Sequence, residues 1–509
     1  MKPRIAITAL LIGGLSVLWM AGSLHPLLLE SRRLHELSHA EPLENAPPLI
    51  VFSTVALGGF SGIIADILWM RAGQLQLEGQ YIEMVQLADW ITSLQPRFAA
   101  GWVYHAWNLA YNISVMFDRP EDRWRWVRHG IELLRDGGLR YNPRNAMLHR
   151  ELGWFFQHKM AGTTDQAHMF YKYMWAQEMR MLFDGRSPDY YALAQAHRTR
   201  EELLRLRGMP ELVEQLQQAG LDPFEYRWPE TDRVAEWRDR LDDSPAGAAL
   251  LNHLRYRMLR DRYRMSWERM QEIEMEVGPL DWRLPQAHAI YWAWRGRNYA
   301  EEGFERLSID RMIFQNMADA FRQGSLLYDA EEGLFVPSPT PALWPYVLRR
   351  YEEAMAEHEP AAIRAAYVNF MNEAMTILYT YNRISDASQI FTTLQERFPD
   401  AIGEMSFEEY VLDQFAERMA ELGDTDALAF VEGAFVQHFF WLALGDEERA
   451  IGFDRLARQA WQSYMAPRME DPEWLERTGI PAIPEIRRSA REQVRNQFIG
   501  RRAQDRLTR

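Results

Sequence analysis

The chain is predicted to be all-α, a solenoid of short, degenerate helical hairpins behind an N-terminal transmembrane helix. Three observations predict this. Apolar residues recur at helical spacing, as in Ile82, Val85, Ala88 and Ile91, and again in Leu412, Phe415, Met419 and Leu422. Alternating β-branched runs closed by Gly or Asn-Gly are almost absent. Lys2 and Arg4 precede an uncharged run over residues 5–24, and roughly 20 residues are enough to cross a hydrocarbon core.

The composition is that of a globular protein. Of 509 residues, 47% are hydrophobic and 25% charged, a balance that buries a core and does not stay disordered. The 19 Trp, 21 Tyr, 24 Phe and 25 Met bring much buried area per side chain. The formal charge is −15, and most basic residues alternate with acids, as in Glu201 and Glu202 followed by Arg205 and Arg207. Phosphate backbones are repelled by such a surface, so no nucleic-acid partner is expected. With no cysteine, disulfide frameworks, thiolate zinc sites, iron–sulfur clusters and thiol nucleophiles are excluded.

Residues 1–30 read as an uncleaved transmembrane anchor, since the apolar run is longer than that of a signal peptide. Ala21-Gly22-Ser23 is its one cleavage-like triplet. Lys2 and Arg4 favour a cytoplasmic amino terminus, whereas Arg32 and Arg33 argue the other way. A single-pass protein of a bacterial inner membrane with a periplasmic body is the expectation. Residues 31–48, with Pro42, Pro47 and Pro48, form a linker. A second apolar stretch over 49–68 holds Gly58, Gly59, Gly62 and Asp66. It is either the buried first helix of the body or a second span that moves the body to the cytoplasmic side.

The body divides into an N-terminal helical array over 49–185, an irregular helical insertion over 186–277 and a C-terminal array over 278–509. The insertion carries Pro188, Pro210, Pro223 and Pro229 and fits no repeat. In the arrays, Gly79 and Tyr81 are followed by Ala88, Ile91 and Pro96, and Trp102 lies just beyond. Leu152-Gly153 precedes Phe156; Ala387, Phe391, Leu394 and Pro399 repeat the second-helix spacing; Gly445, Ala450 and Ala457 repeat it again. Small residues let paired helices approach, aromatic residues fill between hairpins, and Pro stops the second helix. Met84 departs from the small-residue position, and extra residues around Phe117 and Asp122 delay the next closing Pro to Pro143.

On these positions, over roughly half its length, the chain resembles the tetratricopeptide-repeat superfamily. Leu57-Gly58-Gly59-Phe60, Leu68-Trp69-Met70-Arg71-Ala72 and Asp281-Trp282-Arg283-Leu284-Pro285 also resemble a group of uncharacterised membrane-anchored bacterial proteins. The first resemblance implies a concave surface that binds peptides or protein partners; the second implies no reaction.

No phosphate-binding loop, dinucleotide fingerprint, His-Glu-x-x-His, nucleophile elbow or EF-hand is present. No catalytic residue and no cofactor are therefore predicted. His149, His158 and His168 are nine and ten residues apart, not at the i, i+4 spacing of a helical metal pair, so no metal site is predicted. The partner-binding candidates are Asn108 and Asn112, four apart on one helix, with Glu83 and Gln86 on its neighbour. Trp102, with Tyr104, Trp107 and Tyr111, is either a core face or an aromatic lining of the concave surface. Asp281 and Arg283 either brace a helix start or face a polar ligand in a groove. The expected function is a non-enzymatic, membrane-tethered scaffold that binds protein partners in a bacterial envelope complex. The alternative is a carbohydrate-active enzyme in an α/α-toroid, which requires two carboxylates across a cleft, such as Glu151 and Asp281.

Overall fold

A computed structural model describes residues 13, 14, 16, 23, 60–183, 185–224, 241, 243–329, 333–358, 361–399, 402, 405–411, 413, 424–466, 481–497 and 501–508. The anchor over 1–30, save four residues, and the linker over 31–48 lie outside them. The described chain is overwhelmingly helical: α1 (Phe60–Leu77), α2 (Tyr81–Leu94), α3 (Ala99–Trp107), α4 (Pro120–Glu132), α5 (Ala146–Trp154), α6 (His168–Leu182), α7 (Tyr190–Gln195), α8 (Arg200–Leu204), α9 (Met209–Gln218), α10 (Pro245–Arg257), α11 (Trp267–Val277), α12 (Pro285–Arg297) and α13 (Phe304–Gln323). After a β-hairpin, β1 (Ser325–Asp329) and β2 (Leu334–Ser338), come α14 (Trp344–Glu357), α15 (Ala361–Thr380), α16 (Ile384–Arg397), α17 (Asp424–Leu444), α18 (Glu447–Met465), α19 (Ile483–Gln497) and α20 (Arg501–Thr508). Two compact units are present, one of residues 1–80 and 86–96, the other of residues 81–85 and 97–509.

Three interhelical turns are built alike. Gly79 (φ +72), Asn382 (φ 59) and Gly445 (φ 86) sit in the left-handed region just past α1, α15 and α17. Their N–H groups bond three residues back, to Gln76, Tyr379 and Leu442, and the next N–H reaches five back, to Leu75, Leu378 and Trp441. This double bond pattern satisfies the last carbonyls of a helix and reverses the chain. The following helix starts two residues later each time. Helix stops are also repeated: Gln95 (φ −129, ψ 65), Asn142 (φ −134, ψ 58) and Phe398 (φ −139, ψ 58) share one conformation. Each precedes a proline, Pro96, Pro143 or Pro399, whose ring disfavours a helical residue before it.

Five residues past each left-handed turn a side chain is buried: Met84 at 0%, Ala387 at 0% and Ala450 at 1% exposure. Just beyond Ala450, α18 closes on the end of α15. A Cβ on Gly452 would collide with the carbonyl oxygen of Thr380 and lie 2.9 Å from Asn382 N.

The main core of the second unit runs from Ala99 to Leu507. Helices α5 and α12, assigned by sequence to different arrays, are in direct contact. Gly153 and Gly296 permit it: a Cβ on Gly153 would lie 2.9 Å from Met312 Sδ and 3.1 Å from Ala289 O, and one on Gly296 3.0 Å from His149 Cβ. Within the insertion, Leu203, Met209, Leu216, Leu250 and Leu254 form a small core of their own, while Met258 to Val277 join the main one. Residues 426–444 of α17 are long and apolar enough to cross a membrane, the one such helix among the described residues. Val431, Phe435 and Phe439 nevertheless belong to the main core, and α18, α19 and α20 pack around α17, so it is a core helix.

The β-hairpin was not anticipated by helical periodicity. Its strands pair antiparallel with Leu326 opposite Pro337. Leu326 N donates to Asp281 Oδ2 at 2.9 Å, and its carbonyl accepts from Arg283 Nη2 at 2.9 Å.

Candidate functional site

A half-open cleft of about 300 Å³ is lined by Trp107, Arg150, Glu151, Trp154, Gln157, Ser308, Arg311, Met312 and Gln315. One wall is α5 and its continuation, and the other is the first half of α13. The helical hydrogen-bond pattern widens to π immediately after Trp107, over Asn108–Ile113, and after Trp154, over Phe155–Ala161. Such π turns rotate the side chains that follow and gather at functional sites. Each turn carries a stacked pair: Trp107 on Tyr111 with centroids 4.3 Å apart, and Trp154 on His158 at 4.9 Å. Tyr111 Oη lies 3.3 Å from His158 Nδ1, joining the pairs into one four-ring wall.

Buried charge supports this wall from behind. Lys159 Nζ sits 5.0 Å from the Tyr111 ring centroid and pairs with Asp165 at 2.6 Å. Asp165 also meets Arg123 at 3.4 Å and accepts from Ala167 N at 2.9 Å and Tyr171 Oη at 3.3 Å. Burial pushes Lys159 below its ordinary value despite Asp165. Burial raises Asp165, but the Lys159 ammonium, the Ala167 N–H and the Arg123 charge together hold the carboxyl below the usual range. Tyr111 is raised by burial and then by the charge of Glu151, and His158 is lowered by burial and by Lys159. The wall therefore presents a protonated phenol and a neutral imidazole at pH 7.

Inside the cleft the acid is already satisfied. Glu151 accepts from Trp107 Nε1 at 3.0 Å and from Arg150 Nε at 3.1 Å, while Arg150 Nη1 reaches Ser308 Oγ at 3.3 Å. Gln157 Nε2 donates to Gln315 Oε1 at 3.4 Å across the cleft. Three groups remain open. Arg311 is exposed and has no hydrogen-bond or ion-pair partner among the described residues. Trp154 Nε1 and Gln157 Oε1 are buried atoms that make no hydrogen bond of ordinary geometry among the described residues. Aromatic faces, one uncompensated guanidinium and unused amide groups are the chemistry of an anchored polypeptide segment bearing a carboxylate. Glu151 is the single carboxylate in the lining, so the cleft lacks the acid pair needed for glycoside hydrolysis.

Several sequence candidates are turned inward. Trp102 is 7% exposed and stacks on Tyr141 at 5.9 Å, against Gly137 and Gly138, so it is a core residue. Asn108, 1% exposed, donates to the Tyr81 carbonyl at 3.1 Å and accepts from Asn112 Nδ2 at 3.2 Å. It braces the start of α2 and has no face open to a partner; Asn112 is half-buried and spends its amide on Asn108. Asp281, 2% exposed, takes Arg283 Nε at 2.8 Å and Nη2 at 2.7 Å, besides Arg283 N and Leu326 N. This pair braces the start of α12 against the hairpin, which corrects the groove reading and removes Asp281 from any acid pair with Glu151. Glu83 and Gln86 are exposed on α2. Of the aromatic set, Trp107 reaches the cleft and Tyr111 its wall. Trp154, Arg311 and Gln315 were missed, and Leu152-Gly153 was the one sequence signal beside them.

Two polar clusters lie elsewhere. Asp310, Glu357 and His358 bring possible ligand atoms within 4.8 Å of one another. Asp310 is already surrounded by Arg297 at 2.5 Å, Arg350 at 2.9 Å and Arg306 at 3.6 Å, so the cluster is a guanidinium knot and unsuited to a cation. Lys172 is 1% exposed, and its one hydrogen-bond partner among the described residues is His168 Nδ1 at 3.1 Å. Burial lowers its pKa, with Asp319 opposing. A folded value below the unfolded one means that the unfolded chain binds more protons, so stability rises with pH up to the unfolded value. Lys172→Met is accordingly expected to raise the thermal midpoint by about 2 °C at neutral pH, with the gain vanishing towards the unfolded lysine range. Calorimetry across that range checks both parts.

No family model matches the chain, and no curated protein and no solved structure is matched by it.

Proposed function

We propose that the chain is a membrane-tethered, tetratricopeptide-like helical scaffold that holds a segment of a partner protein in a bacterial envelope complex. The observation that carries this reading is the cleft between α5 and α13, where two tryptophans flank an unpaired Arg311 and two amides. Aromatic and arginine anchors supply most of the energy in protein interfaces, and a truncation costs about 2 kcal/mol or more. The repeated turns at Gly79, Asn382 and Gly445 and the repeated stops before Pro96, Pro143 and Pro399 support the repeat-like architecture. The uncharged run over 5–24 supports the tether, with Lys2 and Arg4 favouring a body outside the cytoplasm.

A photo-crosslinking residue at Gln315, in the full chain in its native membrane, tests this. A discrete protein adduct is expected there and not from the same residue at Gln217 on α9. Combining it with Arg311→Ala or Trp154→Ala is expected to lower the yield about thirtyfold, the factor that about 2 kcal/mol implies. An adduct indifferent to both substitutions, or none, refutes the assignment of the cleft.

A further inference from the structure

Helix α1 wears its side chains inside out. Its buried positions are Ala65 at 0%, Ala72 at 0% and Leu75 at 2% exposure, mostly small residues. Its large apolar side chains face away: Ile63 is 58% exposed, Ile67 55%, Met70 70% and Leu77 91%. The spacings of four, three and seven residues put these four on one stripe. A helix on the surface of a water-soluble body does the opposite, burying the large apolar residues and exposing polar ones. Asp66 and Arg71, both exposed, flank the stripe; uncharged Gln74 lies within it, and no lysine or arginine does. The same compact unit exposes Trp90 at 51%, a ring type that settles at lipid headgroup level.

We infer that this stripe of α1 lies against the bilayer, giving the chain a lipid contact besides its N-terminal run. The chain leading into α1 argues for lipid over another protein. Residues 49–59 are uncharged and mostly apolar, and they run directly into the helix, behind the longer uncharged run over 5–24. Asp66, Arg71, Gln74, Gln76 and Glu78 make α1 too polar to span, so it rests along the interface, with Asp66 and Arg71 at the headgroups. The second apolar stretch is then neither a buried core helix nor a second span. This inference rests on the tether reading.

The absence of cysteine makes the test clean, because a single introduced thiol is the only one in the chain. Full-length I67C and M70C, with Q76C and Q217C as controls, carry a nitroxide in vesicles of phosphatidylethanolamine and phosphatidylglycerol. At positions 67 and 70, relaxation by oxygen is expected to exceed that by a water-soluble nickel chelate severalfold, and the order to reverse at 76 and 217. Water-like behaviour at 67 and 70 in vesicle-bound protein overturns the inference and leaves the tether standing. Dipolar broadening between labels, showing that a second copy covers the stripe, overturns it too. A chain that stays free of the vesicles refutes both readings.

Discussion

Asp310→Ala is expected to cost about 3–5 kcal/mol, the usual result of removing one partner from a buried ionic network. Asp310 is 1% exposed and joins three helices: Arg297 ends α12, Arg306 starts α13 and Arg350 comes from α14. His358 Nε2 adds a contact at 3.0 Å. Without the carboxylate, the guanidiniums are held together with only Glu357 and Glu353 among the described carboxylates, at the more exposed side. Burial pushes the Asp310 carboxyl up, but the bonds from Arg297 and His358 prevail and hold it below the usual range. A depressed folded pKa means that the contribution is complete above the unfolded value and is lost as pH falls through the folded one. The denaturation midpoints of native chain and variant should therefore differ widely at neutral pH and converge in acid. Asp310→Asn, which keeps an acceptor but not the charge, is expected to fall between them.

Gly452→Ala is the second large effect. Alanine is better than glycine in a helix by about 1 kcal/mol, so an unconstrained site would gain. At position 452 the new methyl meets the Thr380 carbonyl and the Asn382 N–H, both backbone, which cannot swing aside. Overpacking against immobile neighbours costs about 1–3 kcal/mol and more when a chain must shift. We expect a net loss of about 2 kcal/mol, with the turn at Asn382 the first segment to lose amide protection in hydrogen exchange. Gly433, exposed on α17 with nothing within 4 Å of a Cβ, is the control. There the same substitution should stabilise, so the pair of signs separates close approach from propensity.

Helical periodicity and punctuation were readable in the chain because they act locally. Gly79, Gly445, Pro96 and Pro399 mark turns and stops through backbone preferences of one or two residues. Asn382 does the work of a glycine and carries no such mark in sequence. Close approach at Gly452, Gly153 and Gly296 depends on what arrives from another helix. The cleft was hidden for the same reason: Arg150 and Ser308 are 158 positions apart. The π turns after Trp107 and Trp154 also shift the faces that a 3.6-residue period assigns. Asp281 and Arg283 stood out in sequence beside a helix start, with a brace and a ligand groove both open as readings; their pairing with each other and with Leu326 depends on a hairpin with no strand signal strong enough to place it.

That hairpin has a consequence for solubility. A two-stranded sheet exposes two edges, and an open edge is a template for another chain. Asp281 and Arg283 occupy Leu326 N and O in the way a third strand would, which caps the β1 edge at its second residue. On the β2 side, Pro337 stands opposite Leu326 and has no N–H to donate. Among the described residues these two features close part of each edge of the hairpin, and the ion pair at the start of α12 occupies backbone groups that another strand would otherwise pair with.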